Sequence, residues 1–585
     1  MAVDTTSTDT ILAVDFGAAT TRALLFDVVE NAYRFVGIGE APTTVDAPYS
    51  DANEGLRHAL AELETVTGRA LLDDSARLVM PATADGRGAD AFVATSSAGP
   101  AVRALLVGLL PDVSLDSARH ITAGAYMTVL DRFSLGDLRG QDEQIDAVIA
   151  AKPELLVIAG GTDGGASEAL LKLVETVGLA CHLLPPGAKT RALFAGNADL
   201  QGRMTGLLSR VAHVRTAPNV QPVLGQAQLA PARVELGSLV DELRAEQIGG
   251  FFDLAQWAGG RIVPTAQAAG HYLRFLSKLP AWPRGVLGVD VGSASTSVAA
   301  AWNGNLFLST RPDLGVGANA AAVLAERSPE LARRWLPFAI GEDAWREFVL
   351  NKSAHPASVP ADADDLWLEL ALARQVLRAA LATARADWPA DAPSPRPELL
   401  PWFSLILGGG AVLARAPRPG LAALVLLDAL QPAGVTRLII DGHHLAPALG
   451  AMAPTHPVAV AQVYDSLAFL DLGVAVSLVG RGTVGQPAIH IKLAEEGGPE
   501  READVAFGAV EVLPLPFGRK AKLTLRPRAG FNAGWGAGRG RSFIVQGGAL
   551  GVMVDARGRP IVLPRAPEQA QTLVKQWMFK FSGAQ

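Results

Sequence analysis

The sequence predicts an α/β protein of two similar lobes, with an inserted α/β subdomain between them and a β-rich barrel or sandwich domain at the C-terminus. Three observations carry that expectation. A strand–turn–strand unit near the start recurs about half a chain later. A block between the two copies has no counterpart in the second half. The texture changes after about residue 454, from mixed elements to short alternating apolar runs. With 585 residues the chain can hold several domains. The expected divisions are 1–182 for the first lobe, 183–285 for the insert, 286–454 for the second lobe, and 455–585 for the β-rich domain with a terminal helix.

The recurrence is ILAVDFGAATTRALLFD at 11–27 and VLGVDVGSASTSVAAAW at 286–302. Each is an apolar strand ending in Asp, then Gly, a small-residue turn with Thr, and a second apolar strand. A third strand follows each, at 33–38 and 305–309. Two copies so far apart indicate two lobes rather than a solenoid, whose periods are about 20–50 residues. A helix is expected at 53–67, then a strand into a small-residue loop at 91–100, then a buried strand, glycine loop and amphipathic helix at 154–177. The second half offers SLILGGGAVL at 404–413 and TRLIIDGHHLAPALGAM at 436–452. Each half therefore reads βββαβαβα, the unit of the actin-like (RNase H-like) superfamily.

The insert contains expected strands at 192–196 and 211–215 and helices at 200–209 and 236–246. Residues 389–401 are proline-rich and read as a surface loop. In the tail, expected strands lie at 458–463, 474–479, 488–493, 505–512, 522–525, 543–545 and 551–554, before a helix at 567–581. The most apolar stretch, 458–480, is interrupted by Asp465 and Asp471. Charges at bilayer depth are costly, so it reads as core and not as a membrane span.

Composition is that of a globular protein, 49% hydrophobic and 19% charged. A net charge of -7 gives no overall attraction to nucleic acid or anionic membrane, so neither is expected as a partner. The single cysteine, Cys181, precludes an intrachain disulfide. Residues 1–10 lack the basic and apolar regions of a signal peptide, and a cytoplasmic location is expected.

DFGAATTR at 15–22 and DVGSASTS at 290–297 are candidate phosphate loops. Gly17 and Gly292 would let the backbone turn tightly and approach phosphate oxygens. Thr20, Thr21, Ser295 and Thr296 could donate hydrogen bonds to them, and Arg22 could add a cationic contact or point to solvent. Asp15 and Asp290 end their strands and would face each other, holding Mg²⁺ through its waters. The bland alternative for either loop is an ordinary hairpin. Gly408, Gly409 and Gly410 follow a buried strand and would let adenosine lie against the backbone; a plain strand-to-helix turn is the alternative. AGGTDGG at 159–165 is the most unusual run in the chain. It follows a strand, precedes a helix and is placed to face a ligand through Gly161 and Thr162. Asp163 is the candidate to orient an attacking water at the inter-lobe connection, or else a helix cap.

Other chemistry finds less support. Cys181 reads as a buried small residue. His443 and His444 lack metal-ligand spacing and read as surface or capping groups. The segment 518–541 is locally basic, with Phe531 and Trp535 interleaved. A polyanion patch is one reading; solvated strand faces and a glycine turn are favoured.

DFGAATTR, SSAGP (96–100), AGGTDGG, FAGNA (194–198), PNVQP (218–222), DLGVG (313–317), LGGG (407–410) and DGHH (441–444) occur together, in order, across about 11–452. In these the chain resembles the MutL family associated with glutamate mutase, which is unrelated to the mismatch-repair protein of that name. The resemblance implies an actin-like ATPase fold, association with adenosylcobalamin-dependent mutases, and a chaperone or reactivating role. Departures from the family pattern are Ala18, Ala19 and Arg22 in the first loop, and Ser293 and Ser297 in the second. Nucleotide binding tolerates such changes better than hydrolysis, which needs water and Mg²⁺ held in place.

The expected function is therefore an ATP- or ADP-binding protein, as a Mg²⁺-dependent ATPase acting on a cobalamin-dependent mutase subunit. The alternative is a non-catalytic scaffold of the same fold that assembles with itself or with a partner. A small-molecule kinase is a third reading.

Overall fold

The computed structural model describes residues 9–165, 167–185 and 190–583. The hairpins form as the sequence reads them. Ile11–Phe16 pairs antiparallel with Thr20–Val29, which pairs antiparallel with Ala32–Pro42. Ala91–Ser96 lies parallel on the other side of the first strand, and the two-residue strand Val263–Pro264 completes the sheet. In the second lobe Val286–Val291, Thr296–Trp302 and Asn305–Arg311 repeat this arrangement, with Leu405–Gly409 and Gly434–Ile440 parallel beyond them. Numbered along the chain, both sheets run 3-2-1-4-5 with strand 2 antiparallel. That order, twice over, is the actin-like architecture.

Two placements differ from the sequence reading. The strand Leu155–Ala159 does not belong to the first lobe. It sits in a separate five-stranded sheet, wholly parallel, in the order Met127–Phe133, Val102–Gly108, Leu155–Ala159, Thr190–Phe194, Ala212–Thr216. Residues on both sides of the expected 182/183 division thus share one sheet, which enters the first lobe between its fourth and fifth strands. The first lobe's true fifth strand has two residues, too short to leave an apolar run. The helix after it, Thr265–Leu276, is the counterpart of Leu445–Met452 in the second lobe.

The tail also differs. Residues 458–463 are helical, within Pro457–Asp465. Pro457 supplies a helix-starting φ at the first turn, and the buried residues Ala459, Val460 and Val463 have helical spacing. Leu470–Ser477, Gly551–Asp555 and Val510–Leu513 then extend the second lobe's sheet to eight strands. A four-stranded antiparallel sheet packs beside them: Glu500–Ala506, Pro487–Glu495, Lys520–Pro527, Arg541–Gln546. In Lys520–Pro527 the basic residues Lys520, Lys522 and Arg526 are exposed while Ala521, Leu523 and Leu525 are buried, a solvated strand face. No helix among the described residues is long and apolar enough to cross a membrane.

The two lobes share a core. Ile11, Ala13, Leu24 and Phe26 of one sheet and Val286, Ala299, Leu405 and Leu407 of the other pack on the same two helices, Thr265–Leu276 and Leu445–Met452. The helices cross where Gly450 meets the backbone of the other: a Cβ there would lie 1.7 Å from the Ala268 carbonyl oxygen. The tail is held to the second lobe by buried charges. Asp428 accepts from Arg374 Nε (2.8 Å) and Arg557 Nη1 (2.6 Å), and Asp555 accepts from Arg557 Nη2 (2.8 Å) and Arg559 Nη2 (2.7 Å). Two substitutions test these contacts by chemical denaturation. Gly450→Ala is expected to cost about 2–3 kcal/mol by overpacking. Asp428→Ala leaves the Arg374 guanidinium buried without its carboxylate and Arg557 with Asp555 alone, and is expected to cost about 3–5 kcal/mol.

Candidate functional site

The two candidate phosphate turns are built alike. Gly17 N donates to Thr20 O (3.0 Å) and Gly292 N donates to Ser295 O (2.9 Å). A Cβ on Gly17 or Gly292 would lie 2.7 or 2.8 Å from the same carbonyl oxygen, so the turn closes only with glycine. The second turn is further clamped by the DLGVG segment. Val316 N donates to Gly292 O (3.0 Å), Gly317 N to Ser293 O (2.8 Å), and Ala318 N to Ser293 Oγ (3.2 Å).

Strand alternation decides which hydroxyls face the cleft. Asp15 pairs across the ladder with Arg22, and Asp290 with Ser297. Thr21 and Thr296 are fully buried on the opposite face, and Thr21 Oγ1 donates to Thr43 Oγ1 (3.3 Å). Thr20 and Ser295 are partly exposed at the turn tips. Gly408, Gly409 and Gly410 pack against the second loop's strand, with a Cβ on Gly409 only 2.9 Å from Asp290 Oδ1 and one on Gly410 only 2.1 Å from Val291 O. Their small size serves this close approach.

The carboxylates converge, and their surroundings are unequal. Asp15 Oδ1 accepts from Thr95 Oγ1 (2.6 Å) and Thr265 Oγ1 (2.7 Å). Its Oδ2 pairs with His444 Nε2 of the other lobe at 3.2 Å and lies 3.8 Å from Arg22 Nη1. Asp290 is the pseudo-equivalent group, but its neighbour on the parallel strand is Gly409, where Asp15 has Thr95. Asp290 Oδ1 is buried with no hydrogen-bond partner among the described residues. The acidities diverge accordingly. Burial pushes the Asp15 carboxyl up, but the adjacent His444 and Arg22 more than offset it and hold it at about 2. Burial raises Asp290, reinforced by the charges of Asp15 and Asp441 against the pull of His444 and Arg22. Burial lowers the His444 imidazole, yet Asp15 beside it raises it on balance.

His444 was not assigned this role by sequence. It follows a buried strand in DGHH, and its left-handed backbone (φ 59°) starts the helix Leu445–Met452. That helix is capped by Asp441, whose Oδ1 and Oδ2 accept from Leu445 N and Ala446 N, each at 2.7 Å. Thr265, Asp290, Ser297, Gly409, Asp441 and His444 enclose a cavity of about 30 Å³, room for about two water molecules. Among the described residues no group of three or more His, Cys, Asp or Glu is arranged to hold a metal ion directly.

Gly161, Thr162 and Asp163 lie elsewhere. The sequence reading puts them at the inter-lobe connection, but they follow the central strand of the parallel sheet. Asp163 Oδ1 accepts from Ala198 N (3.0 Å) and Asn219 Nδ2 (2.8 Å), and Asp163 N donates to Pro222 O (3.1 Å). The helix beyond begins at Glu168, and Ala166 lies outside the described residues. AGGTDGG, FAGNA and PNVQP are thus knit together in the inserted domain. That domain joins the first lobe beside the phosphate turn: Arg244 Nη1 donates to Ser96 Oγ (3.2 Å), and Ser97 and Ala98 donate backbone N–H groups to Phe16 O.

The family model described as MutL protein matches residues 11–467. The chain belongs to the MutL protein family. This is the family the motifs resemble, with its actin-like lobes, and not the mismatch-repair protein. A stretch of 210 residues is 26% identical to Protein MutL of Clostridium tetanomorphum, covering 35% of this chain and 43% of that protein. The match therefore spans less than half of that relative's length. Among solved structures, a glycerol dehydratase reactivase is similar at 12% identity and a TM-score of 0.30, covering 77% of this chain and 100% of that one. MreB 5 of Spiroplasma citri with AMPPNP bound is similar at 10% identity and a TM-score of 0.25, covering 79% of this chain and 100% of that one.

The His444–Asp15 pair makes stability depend on pH with a definite sign. Because the folded state raises His444 above its ordinary value near 6.5, the pair contributes fully below that value and is lost as pH rises through the higher folded one. The Asp15 contribution is present above its ordinary 3.8 and is lost as pH falls through about 2. Parallel thermal melts of the natural protein and His444→Gln are expected to differ most near pH 6, and the gap is expected to shrink toward pH 9.

Proposed function

We propose that this chain binds an adenine nucleotide between its two lobes and acts as an ATPase in a chaperone or reactivating role toward an adenosylcobalamin-dependent mutase. One observation carries the nucleotide reading: two pseudo-equivalent Asp–Gly turns meet in one cluster, and Asp290, unlike Asp15 with its ion pairs to His444 and Arg22, has a buried oxygen with neither a hydrogen bond nor an ion pair among the described residues. A buried acceptor without a partner is costly, and water, a proton or a hydrated cation would satisfy it. Asp15 and Asp290 would hold Mg²⁺ through its waters, since Mg²⁺ keeps several waters and takes few direct protein ligands. When bound, the cation supplies neutralisation of the phosphate charge. Arg22, mostly buried and held by Glu40 through its Nε (2.9 Å), keeps its Nη groups at the edge of the cluster, where they can pair with a phosphate oxygen. Membership of the MutL family supports the mutase as partner, and a soluble cytoplasmic setting accords with it.

The same cluster also favours a second reading, a scaffold with weak or no hydrolysis. His444 and Arg22 already neutralise Asp15, and the cavity has room for water but not for a nucleotide. Binding that occupies this space would separate the lobes and break the His444 contact, and would proceed only by the ligand's preference for the open state. Asp163, held in the inserted domain, is not placed to orient water in this cleft.

Calorimetry and thermal melts with ATP, ADP and Mg²⁺ test the shared claim. ATP at a hundredfold excess over its Kd is expected to add about 2.7 kcal/mol of stability, and Asp290→Asn is expected to weaken binding at least tenfold. Absence of both heat and a melting shift at saturating ATP would sink both readings. Phosphate release by the pure protein then separates ATPase from scaffold, and Asp163→Ala is expected to leave it unchanged.

A further inference from the structure

The most distinctive motif of the chain lies outside the cleft, at one edge of the inserted domain. The five parallel strands of that domain, numbered along the chain, run 2-1-3-4-5. In such sheets ligands meet the carboxyl ends of the strands, where the order reverses. Here those ends carry residues 109–115, 134–140, 160–165, 195–200 and 217–226, and they form one continuous mat. Leu135 N donates to Leu109 O (3.1 Å), Asn197 N to Gly160 O (3.0 Å), Val220 N to Ala195 O (3.0 Å), and Asp163 N to Pro222 O (3.1 Å).

The mat is flat at its centre. Leu109 is buried against Gly160, where a Cβ would lie 3.2 Å from Leu109 Cγ, so the crevice at the reversal point is filled. Gly196 packs as tightly on Gly160, with 2.5 Å from a Cβ to the Gly160 carbonyl oxygen. On either side of the glycine floor stand exposed apolar groups: Leu110, Leu135 and the wholly exposed Leu138 on one flank, Val223 and Leu224 on the other. Large apolar groups so grouped on a surface mark an interaction site.

The charge of the face is one-sided. Asp112, Asp163 and Asp199 are exposed, and none is in an ion pair among the described residues. The one cation in these five loops, Arg139, is taken up by Asp131 and Asp137. From these observations we infer that the carboxyl-end face of the inserted domain docks a protein segment with apolar anchors flanked by Lys and Arg. Across five strands the face spans about 19 Å, the length of about 13 helical residues, so an amphipathic basic helix fits it. This inference stands independently of nucleotide in the cleft.

The test uses the full chain and two synthetic 18-residue amphipathic helices, one of Leu and Lys and one of Leu and Glu, measured by calorimetry and hydrogen exchange. The Leu/Lys peptide is expected to bind one to one and to protect the backbone at 109–115, 160–165 and 217–226. The Leu/Glu peptide is expected not to bind. Leu135→Ser with Leu138→Ser, and separately Asp112→Asn with Asp163→Asn and Asp199→Asn, should each weaken binding at least tenfold. Should a multiple variant melt lower than the natural protein, Leu138→Ser alone is read instead, with a loss of at least threefold expected. Phe579→Ser removes an exposed aromatic from the terminal helix and is expected to change nothing. Equal binding of both peptides, no binding of either, or binding unmoved by the face variants overturns the inference. So does concentration-dependent self-association that the face variants abolish, which would assign the face to a second copy of the chain.

Discussion

Two carboxylates close enough to feel each other's charge, away from bulk water, cannot both remain ionised without compensation, because each raises the cost of charge on the other. The centre of this molecule resolves that conflict unequally. Asp15 receives two hydroxyl donors, a guanidinium and an imidazole from the opposite lobe. Asp290 receives a glycine where its counterpart has a threonine, and a serine where its counterpart has an arginine. The inequality ties the lobes together through the better-served group and leaves the other unsatisfied. The crossing of Thr265–Leu276 with Leu445–Met452 supports it from below: Thr265 supplies one of the hydroxyl donors, and His444 the imidazole.

The doubled hairpins were legible because their signal is local and repeated. Six-residue buried strands, an invariant turn of four and a matching third strand leave the same pattern at 11–42 and 286–311. The convergence of Asp15 and Asp290 followed from that repetition alone. What could not be read was which sheet a buried strand joins. Leu155–Ala159 is apolar throughout and would suit either lobe or insert, while the first lobe's actual fifth strand is two residues ending in proline. His444 was legible as a residue but not as a partner. Its contact crosses more than four hundred residues of sequence to Asp15, and nothing in the local pattern of DGHH distinguishes a buried imidazole from a capping one.

The motifs themselves divide by place. DFGAATTR, DLGVG, LGGG and DGHH surround the cleft, and SSAGP leads from it into the inserted domain. AGGTDGG, FAGNA and PNVQP are tied to one another at that domain's edge through Asn197, Asn219 and Asp163. Glycine answers to close packing in both places. In the cleft it lets two strands approach behind a carboxylate; at the domain edge it lets three loops lie level.

The buried chain of Arg374, Asp428, Arg557, Asp555 and Arg559 has a mechanical meaning. Together with the eight-stranded sheet it makes the tail an outrigger of the second lobe and not a pendant module. A few degrees of rotation about the helix crossing would sweep the outer four-stranded sheet through a proportionally longer arc.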